Sequence, residues 1–260
     1  MANQTDRNIG LKAVVSSPSN TLLCKGCALD TLCHPELLDD KTLEKIDSVF
    51  NRGVMYSKGD YLFSQGEPFD AVYAVRSGSL KTYVVTSDGQ EQITNFYFAT
   101  ELLGLSGLNT DSYPVSAVAM ETTTVCKLPF AQLDEFSLGL PRLRKSVYST
   151  IGKEINGFEG MMMTLSKKNA EQRVATFLMN LSCRYKKRGY SASAFRLTMS
   201  RNEIGNFLGL AVETVSRVFS RFQKQGLIKV EGKEVQLIAI NELTEISGNA
   251  VPGENIQAAQ

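Results

Sequence analysis

Between about Gly53 and Phe130, apolar and polar positions alternate in short runs: YLFSQ, AVYAV, SLKTYVVT, EQITNFYF, VSAVAM and TTTVCKL. Gly59, Gly66, Gly78, Gly89, Gly104 and Gly107 cut them at fairly regular intervals. Runs of that length and period, bounded by turn residues, predict several short antiparallel strands closed into a barrel or sandwich. Asp88-Gly89 within SDGQ predicts a hairpin turn. The period then changes. Leu140, Leu143, Val147, Ile151, Ile155, Phe158, Met162 and Leu165 recur every three or four positions, which predicts one long helix with a narrow seam of coiled-coil type. So narrow and long a stripe suits pairing with a second copy better than packing on its own domain. Gly152, Gly157 and Gly160 make the order of this helix depend on that packing. Upstream, LLDDKTLEKIDSVF sets Leu38, Leu43, Ile46 and Phe50 on one side of a short amphipathic helix. It follows a polar, Ser- and Asn-rich start expected to be poorly ordered.

A second region begins near Ser166. NAEQRVATFLMNLSCRYKKRG reads as an amphipathic helix with Val174, Phe177, Leu178 and Leu181 on its apolar side, ended by Gly189. In SRNEIGNFLGLAVETVSRVFSRFQKQG, Ser200 followed by Glu203 is a capping box that opens a helix. That helix carries Ile204, Phe207 and Leu208 inward and halts at Gly209, where a tight turn needs backbone freedom. A second helix, from about Val212 to Gln225, puts Val212, Val215, Phe219 and Phe222 on one face and Glu213, Ser216, Arg217, Ser220, Arg221 and Lys224 on the other. Helix, glycine turn and polar-faced helix make a helix-turn-helix. LIKVEGKEVQLI follows as a hairpin turning at Glu231-Gly232-Lys233, a wing. The chain thus divides into an arm (1–36), a strand-rich domain (37–139), a long helix (140–166), a winged helix-turn-helix (167–245) and a tail (246–260).

Overall composition, 43% hydrophobic and 21% charged, is that of an ordinary folded protein. No stretch approaches the roughly 20 apolar residues of a membrane span, and the first residues lack the apolar core of a secretory signal. The net charge of +1 conceals an uneven distribution. Residues 1–165 hold 14 Lys+Arg against 19 Asp+Glu, residues 166–235 hold 14 against 5, and the last 25 hold none against 3. A basic block that coincides with the helix-turn-helix points to a polyanionic partner, double-stranded DNA. The second helix of such a motif enters the major groove. Arg217 can fork onto guanine, Glu213 can accept from a cytosine amino group, and Ser216 is adaptable. Arg201, Arg221 and Lys224 suit phosphates, which position without specifying. The bland alternative is a Glu213–Arg217 pair merely stabilising a surface helix.

A single histidine, His34, leaves little room for imidazole chemistry. Five cysteines occur. Cys24, Cys27 and Cys33 crowd into ten residues around Gly26, Cys126 lies in an expected strand, and Cys183 stands apart in the basic helix. Without a secretory signal, metal or redox chemistry is favoured over disulfides. Cys126 is the natural fourth ligand beside the other three. Four thiolates hold zinc or an iron–sulfur cluster. The absence of two close cysteine pairs favours iron–sulfur, and His34 and Cys183 are left as bystanders. A thiol oxidoreductase built on Cys24 and Cys27 would need an activating environment. It would also leave the helix-turn-helix unexplained.

These features together resemble the FNR-type oxygen-responsive transcription regulators of the CRP/FNR family. The resemblance rests on the Cys24, Cys27, Cys33 and Cys126 constellation, on LSKKNAEQRVATFLMNLS and on FRLTMSRNEIGNFLGLAVETVSRVFSRFQKQG. It implies an α+β chain with a cyclic-nucleotide-binding-like β-roll, a long dimerisation helix and a C-terminal winged helix-turn-helix. It implies one [4Fe–4S] cluster per subunit on the four cysteines, and base reading by Glu213, Ser216 and Arg217. The implied protein is a cytoplasmic regulator, not an enzyme. In it the cluster promotes homodimerisation and binding to a palindrome resembling TTGAT-N4-ATCAA, and is lost or converted in oxygen, so that the seam separates and affinity falls; RNA polymerase is a further partner. The dimer seam would comprise Leu143, Val147, Ile151, Ile155, Phe158 and Met162. Two sequence details depart from relatives. Val115-Ser116-Ala117 stands where cyclic-AMP binders have Arg-Ser-Ala; a buried phosphate without its cation is costly, so no cyclic nucleotide is expected. Phe158 stands where some relatives carry an acid, which shifts the balance towards dimer. A zinc- or thiol-switched regulator on the same frame is the alternative.

Overall fold

The computed structural model describes residues 51–248. Cys24, Cys27, Cys33, His34, the expected helix before Phe50 and the end of the tail lie outside the described residues.

Eight short strands come first: β1 (Asn51–Tyr56), β2 (Tyr61–Phe63), β3 (Ala71–Ser77), β4 (Ser79–Val85), β5 (Glu91–Phe98), β6 (Leu102–Leu103), β7 (Ser116–Ala119) and β8 (Thr123–Pro129). They form two antiparallel four-stranded sheets, ordered β1-β8-β3-β6 and β2-β7-β4-β5. Their inner faces enclose Phe63, Tyr73, Leu80, Leu103, Tyr113 and Val125, with the Phe63 and Tyr113 rings stacked 3.9 Å apart. The Asp88-Gly89 turn joins β4 to β5: Gly89 takes a positive φ of 81°, and the Thr86 N–H closes on the Gln90 carbonyl at 2.9 Å.

Helices follow. α1 (Phe130–Gly139) is a short element that the strand pattern did not anticipate. It leads into α2 (Pro141–Lys167), the long helix, which opens on a proline at its first turn, where a missing N–H costs nothing. α3 (Ala170–Lys187) starts at a capping box between Asn169 and Gln172. α4 (Arg201–Leu208) and α5 (Val212–Lys224) form the helix-turn-helix. β10 (Ile228–Glu231) and β11 (Glu234–Leu237) form the wing hairpin, and α6 (Ile240–Ile246) closes the described chain. The wing has a third strand, β9 (Ala194–Arg196), paired to β11. Three residues are too few to show a period, so β9 leaves no signal in the sequence.

Strand-rich and helical halves share one core. Tyr83, Ile93, Phe96, Phe98 and Met120 from the β-roll pack with Phe177, Leu178, Ile204, Val215 and Phe222 from the winged helix. Polar ties cross the same boundary. The Ile93 N–H donates to Asn206 Oδ1 at 2.6 Å, and Asn206 Nδ2 donates to the Glu91 carbonyl at 2.7 Å. The side chain of Asn206 therefore covers the open edge of β5, which would otherwise present unpaired backbone groups. α2 is tied to the same strand: the Tyr97 hydroxyl donates to Glu154 Oε1 at 3.1 Å. Burial there pushes the Glu154 carboxyl above its ordinary value.

Candidate nucleic-acid interface

The helix-turn-helix is assembled by local chemistry. At the start of α4 the Ser200 hydroxyl accepts from the Glu203 N–H (3.2 Å), and Glu203 accepts from the Ser200 N–H (2.8 Å). Burial alone would raise the Glu203 carboxyl, but the Ser200 N–H and the Lys81 ammonium hold it below its ordinary value. α4 ends at Gly209 in the left-handed region (φ 61°, ψ 41°). A second glycine is also required. A Cβ on Gly205 would lie 2.5 Å from the Leu210 carbonyl oxygen, and the Leu210 N–H bonds back to the Gly205 carbonyl at 2.8 Å. The turn closes only if position 205 has no side chain. This role was invisible in a one-dimensional pattern that already had Gly209 to explain the turn.

α5 buries Val215, Val218, Phe219 and Phe222 and exposes Glu213, Ser216, Arg217, Ser220, Arg221 and Lys224. Val212 is only half-buried, and Val218 takes its place in the apolar face. Arg217 donates to the Thr214 hydroxyl at 3.1 Å and not to Glu213, so the charged pair does not consume the two side chains. The Ser216 hydroxyl donates to the Val212 carbonyl at 2.9 Å, leaving its oxygen open as an acceptor. Glu213, Ser216 and Arg217 thus share one exposed face in the first two turns of α5.

The three expected phosphate contacts have different surroundings. Lys224 is exposed at the end of α5. Arg221 is paired with Glu171 from the first turn of α3. The Arg201 guanidinium lies over the Phe219 ring, 3.5 Å from its centroid, and burial lowers its pKa. Part of the basic block turns inward instead. Arg184 bonds to Glu101 and to the Phe96 carbonyl (2.5 Å), and both Arg184 and Arg188 stack on Phe98, 4.7 and 4.9 Å from its centroid. Those cations join domains rather than face solvent, which a regional charge count cannot distinguish.

Cys126 is 6% exposed, on β8 opposite Ala74 of β3. It belongs to one apolar cluster with Val72, Leu102, Leu133 and Leu143, against which Val147 and Ile151 also pack. The seam of α2 is therefore divided. Leu143, Val147 and Ile151 lie against the β-roll of their own chain, whereas Ile155 (52%), Phe158 (51%) and Met162 (63%) are exposed. No group of three or more His, Cys, Asp or Glu side chains is placed to hold a metal among the described residues; of the four expected ligands, Cys126 alone falls within them. Cys183 is half-buried on α3. No helix among the described residues is long and apolar enough to cross a membrane.

A two-sheet β-roll, a long helix and a winged helix-turn-helix with an open polar face have the build of a DNA-binding transcription regulator. The comparisons agree. Residues 54–138 match the cyclic nucleotide-binding domain model, and residues 197–228 match that of the bacterial regulatory proteins, crp family. The chain is 54% identical over 230 residues to the transcriptional activator protein anr of Pseudomonas aeruginosa, covering 88% of this chain and 94% of the relative. It is 41% identical over 235 residues to the fumarate and nitrate reduction regulatory protein of Shigella dysenteriae, covering 90% and 94%. Among solved structures, FixK2 from Bradyrhizobium japonicum superposes with a TM-score of 0.69 at 29% identity, covering 76% of this chain and 97% of FixK2. The chain belongs to the FNR-type transcription regulators of the CRP/FNR family.

Proposed function

We propose that this chain is an oxygen-responsive transcription regulator that binds a TTGAT-N4-ATCAA-like palindrome as a homodimer when oxygen is absent. The observation that carries the reading is the shared cluster of Cys126 with Leu143, Val147 and Ile151. A thiol in an apolar, water-poor setting suits a soft metal centre, and Cys24, Cys27 and Cys33 would supply the remaining donors. When bound, a [4Fe–4S] cluster supplies an oxygen-labile tie among the four thiolates. The protein's own part is mechanical. Strand β8 places Cys126 in the apolar cluster that the first turns of α2 complete, so the position of that strand biases the helix that continues into the exposed face of Ile155, Phe158 and Met162. Pairing of that face with a second copy would bury apolar surface and set two α5 helices one DNA turn apart, ~34 Å.

Glu213, Ser216 and Arg217 on α5 read bases; Arg201, at the start of α4, and Arg221 and Lys224 on α5 meet phosphates. Arg221 must then leave or share its Glu171 partner. A cyclic nucleotide is not part of this reading. Val115-Ser116-Ala117 offers no cation, and the Ser116 hydroxyl already accepts from the Gln65 N–H at 2.9 Å. RNA polymerase is the expected partner at the promoter, in the cytoplasm.

The test is the ultraviolet-visible spectrum of anaerobically purified full-length protein, read together with palindrome binding. A brown, air-labile chromophore that tracks DNA affinity is expected. It should be lost in Cys24→Ser, Cys27→Ser, Cys33→Ser and Cys126→Ser and retained in Cys183→Ser. A colourless zinc protein, or one that binds DNA equally in air, would overturn the cluster reading in favour of a zinc- or thiol-based switch.

A further inference from the structure

Two extended residues, Lys168 (φ −101°, ψ 142°) and Asn169 (φ −75°, ψ 175°), break the chain between α2 and α3. A two-residue joint by itself leaves the long helix free to swing relative to the DNA reader, because each residue adds two soft dihedrals. One side chain spans the joint. Arg173, in the first turns of α3, donates from Nε to the Lys168 carbonyl (2.9 Å) and from Nη2 to the Leu165 carbonyl (2.7 Å). Its Nη1 donates to the carbonyls of Leu208 (3.0 Å) and Gly209 (3.4 Å). The first pair of acceptors ends α2. The second ends α4, at the turn that launches the recognition helix. The last carbonyls of a helix have no partners within it and carry its partial negative charge. A single planar cation therefore satisfies two helix ends at once.

Neighbouring contacts serve the same joint. Lys168 Nζ donates to the Ser247 carbonyl at the end of α6 and to the Thr176 hydroxyl, both at 2.8 Å. A Cβ built on Gly209 would meet Arg173 Nη1 at 3.5 Å and Leu165 at 3.7 Å.

We propose that Arg173 is a positioning residue that sets the angle between α2 and the helix-turn-helix, and through it the half-site spacing that the dimer accepts. The inference rests on the homodimeric, palindrome-binding reading above. Bivalent binding gains only when geometry lets both readers engage together, so a loosened joint weakens the preference for one spacing more than it weakens binding at a single half-site. Lysine keeps the charge but lacks the fork that reaches both helix ends.

The experiment compares anaerobic full-length wild type with Arg173→Lys and Arg173→Met. Each binds palindromes whose half-sites are separated by three, four, five or six bases, and a duplex with one half-site. The ratio of affinities across spacers is independent of the folded fraction, so partial unfolding of a variant does not obscure it. The expected result is that wild type prefers one spacer and that both variants lose about tenfold or more of that preference. Half-site affinity and dimer fraction should hold. Variants that keep the wild-type spacer ratio overturn the proposal. So do variants that lose affinity equally for every duplex including the half-site, since Arg173 would then serve folding alone. If wild type shows no spacer preference, the dimer reading fails first and the clamp falls with it.

Discussion

Lys81 on β4 and Glu203 on α4 meet at 2.9 Å although 122 residues separate them in the chain. The carboxylate that completes the capping box of the helix-turn-helix is thus also one of the ties, with Asn206, that hold it to the β-roll. Both side chains are largely shielded, so the pair is screened less than a surface contact.

Glu203 has a sign that can be checked. Its folded pKa lies below the ordinary 4.5, so the folded state holds the proton less readily than the unfolded one. The stability it adds is fully present above the ordinary carboxylate range and is lost as pH falls through the folded value. Glu203→Gln should cost about 1 kcal/mol at neutral pH, the scale of a helix cap. The gap from wild type should close only in acid. Denaturant titrations of both proteins across pH measure this, and a gap that is constant with pH would refute it.

Gly205→Ala should destabilise the helix-turn-helix by about 1–3 kcal/mol, the usual cost of overpacking, because its new methyl would lie 2.5 Å from a backbone oxygen. Gly209→Asn should be milder, since asparagine tolerates the left-handed conformation that Gly209 adopts. Thermal unfolding of the two variants orders them.

Arg217→Ala should lose about 1–3 kcal/mol per half-site, selectively at the guanine of TTGAT. Lys224→Ala should weaken all sequences alike and lower the salt dependence by about one counterion. Binding to the palindrome and its single-base variants at two salt concentrations separates the roles. Uniform loss in Arg217→Ala, with discrimination at guanine intact, would make it another phosphate contact.

The two halves of the α2 stripe should respond differently. Leu143→Ala creates a cavity in the Cys126 cluster and should cost about 2–5 kcal/mol of stability. Phe158→Asp, on the exposed half, should leave the unfolding midpoint of the monomer nearly unchanged and lower the dimer fraction in sedimentation. Equal effects of both on assembly would mean that the whole stripe faces a partner.

Much of this protein is written locally. The strand runs, the Asp88-Gly89 turn, the Ser200/Glu203 box and the polar face of α5 each depend on residues within a few positions of one another. Hydrogen bonding and side-chain period over that range are set by backbone geometry alone. The 3.6-residue period of α2 likewise shows that a helix forms and which side is apolar. It does not show what that side touches: Leu143 and Phe158 obey the same spacing, yet one packs beside Cys126 and the other faces outward. The basic block behaves the same way. Arg173, Arg184, Arg188 and Lys224 count equally in a charge sum, but three of them are held on carbonyls, a carboxylate or aromatic rings. Which cations turn inward was decided only when the β5 edge docked on α4 and two helix ends met at Arg173. Those partners lie on segments far apart in sequence, and nothing in local periodicity encodes their meeting.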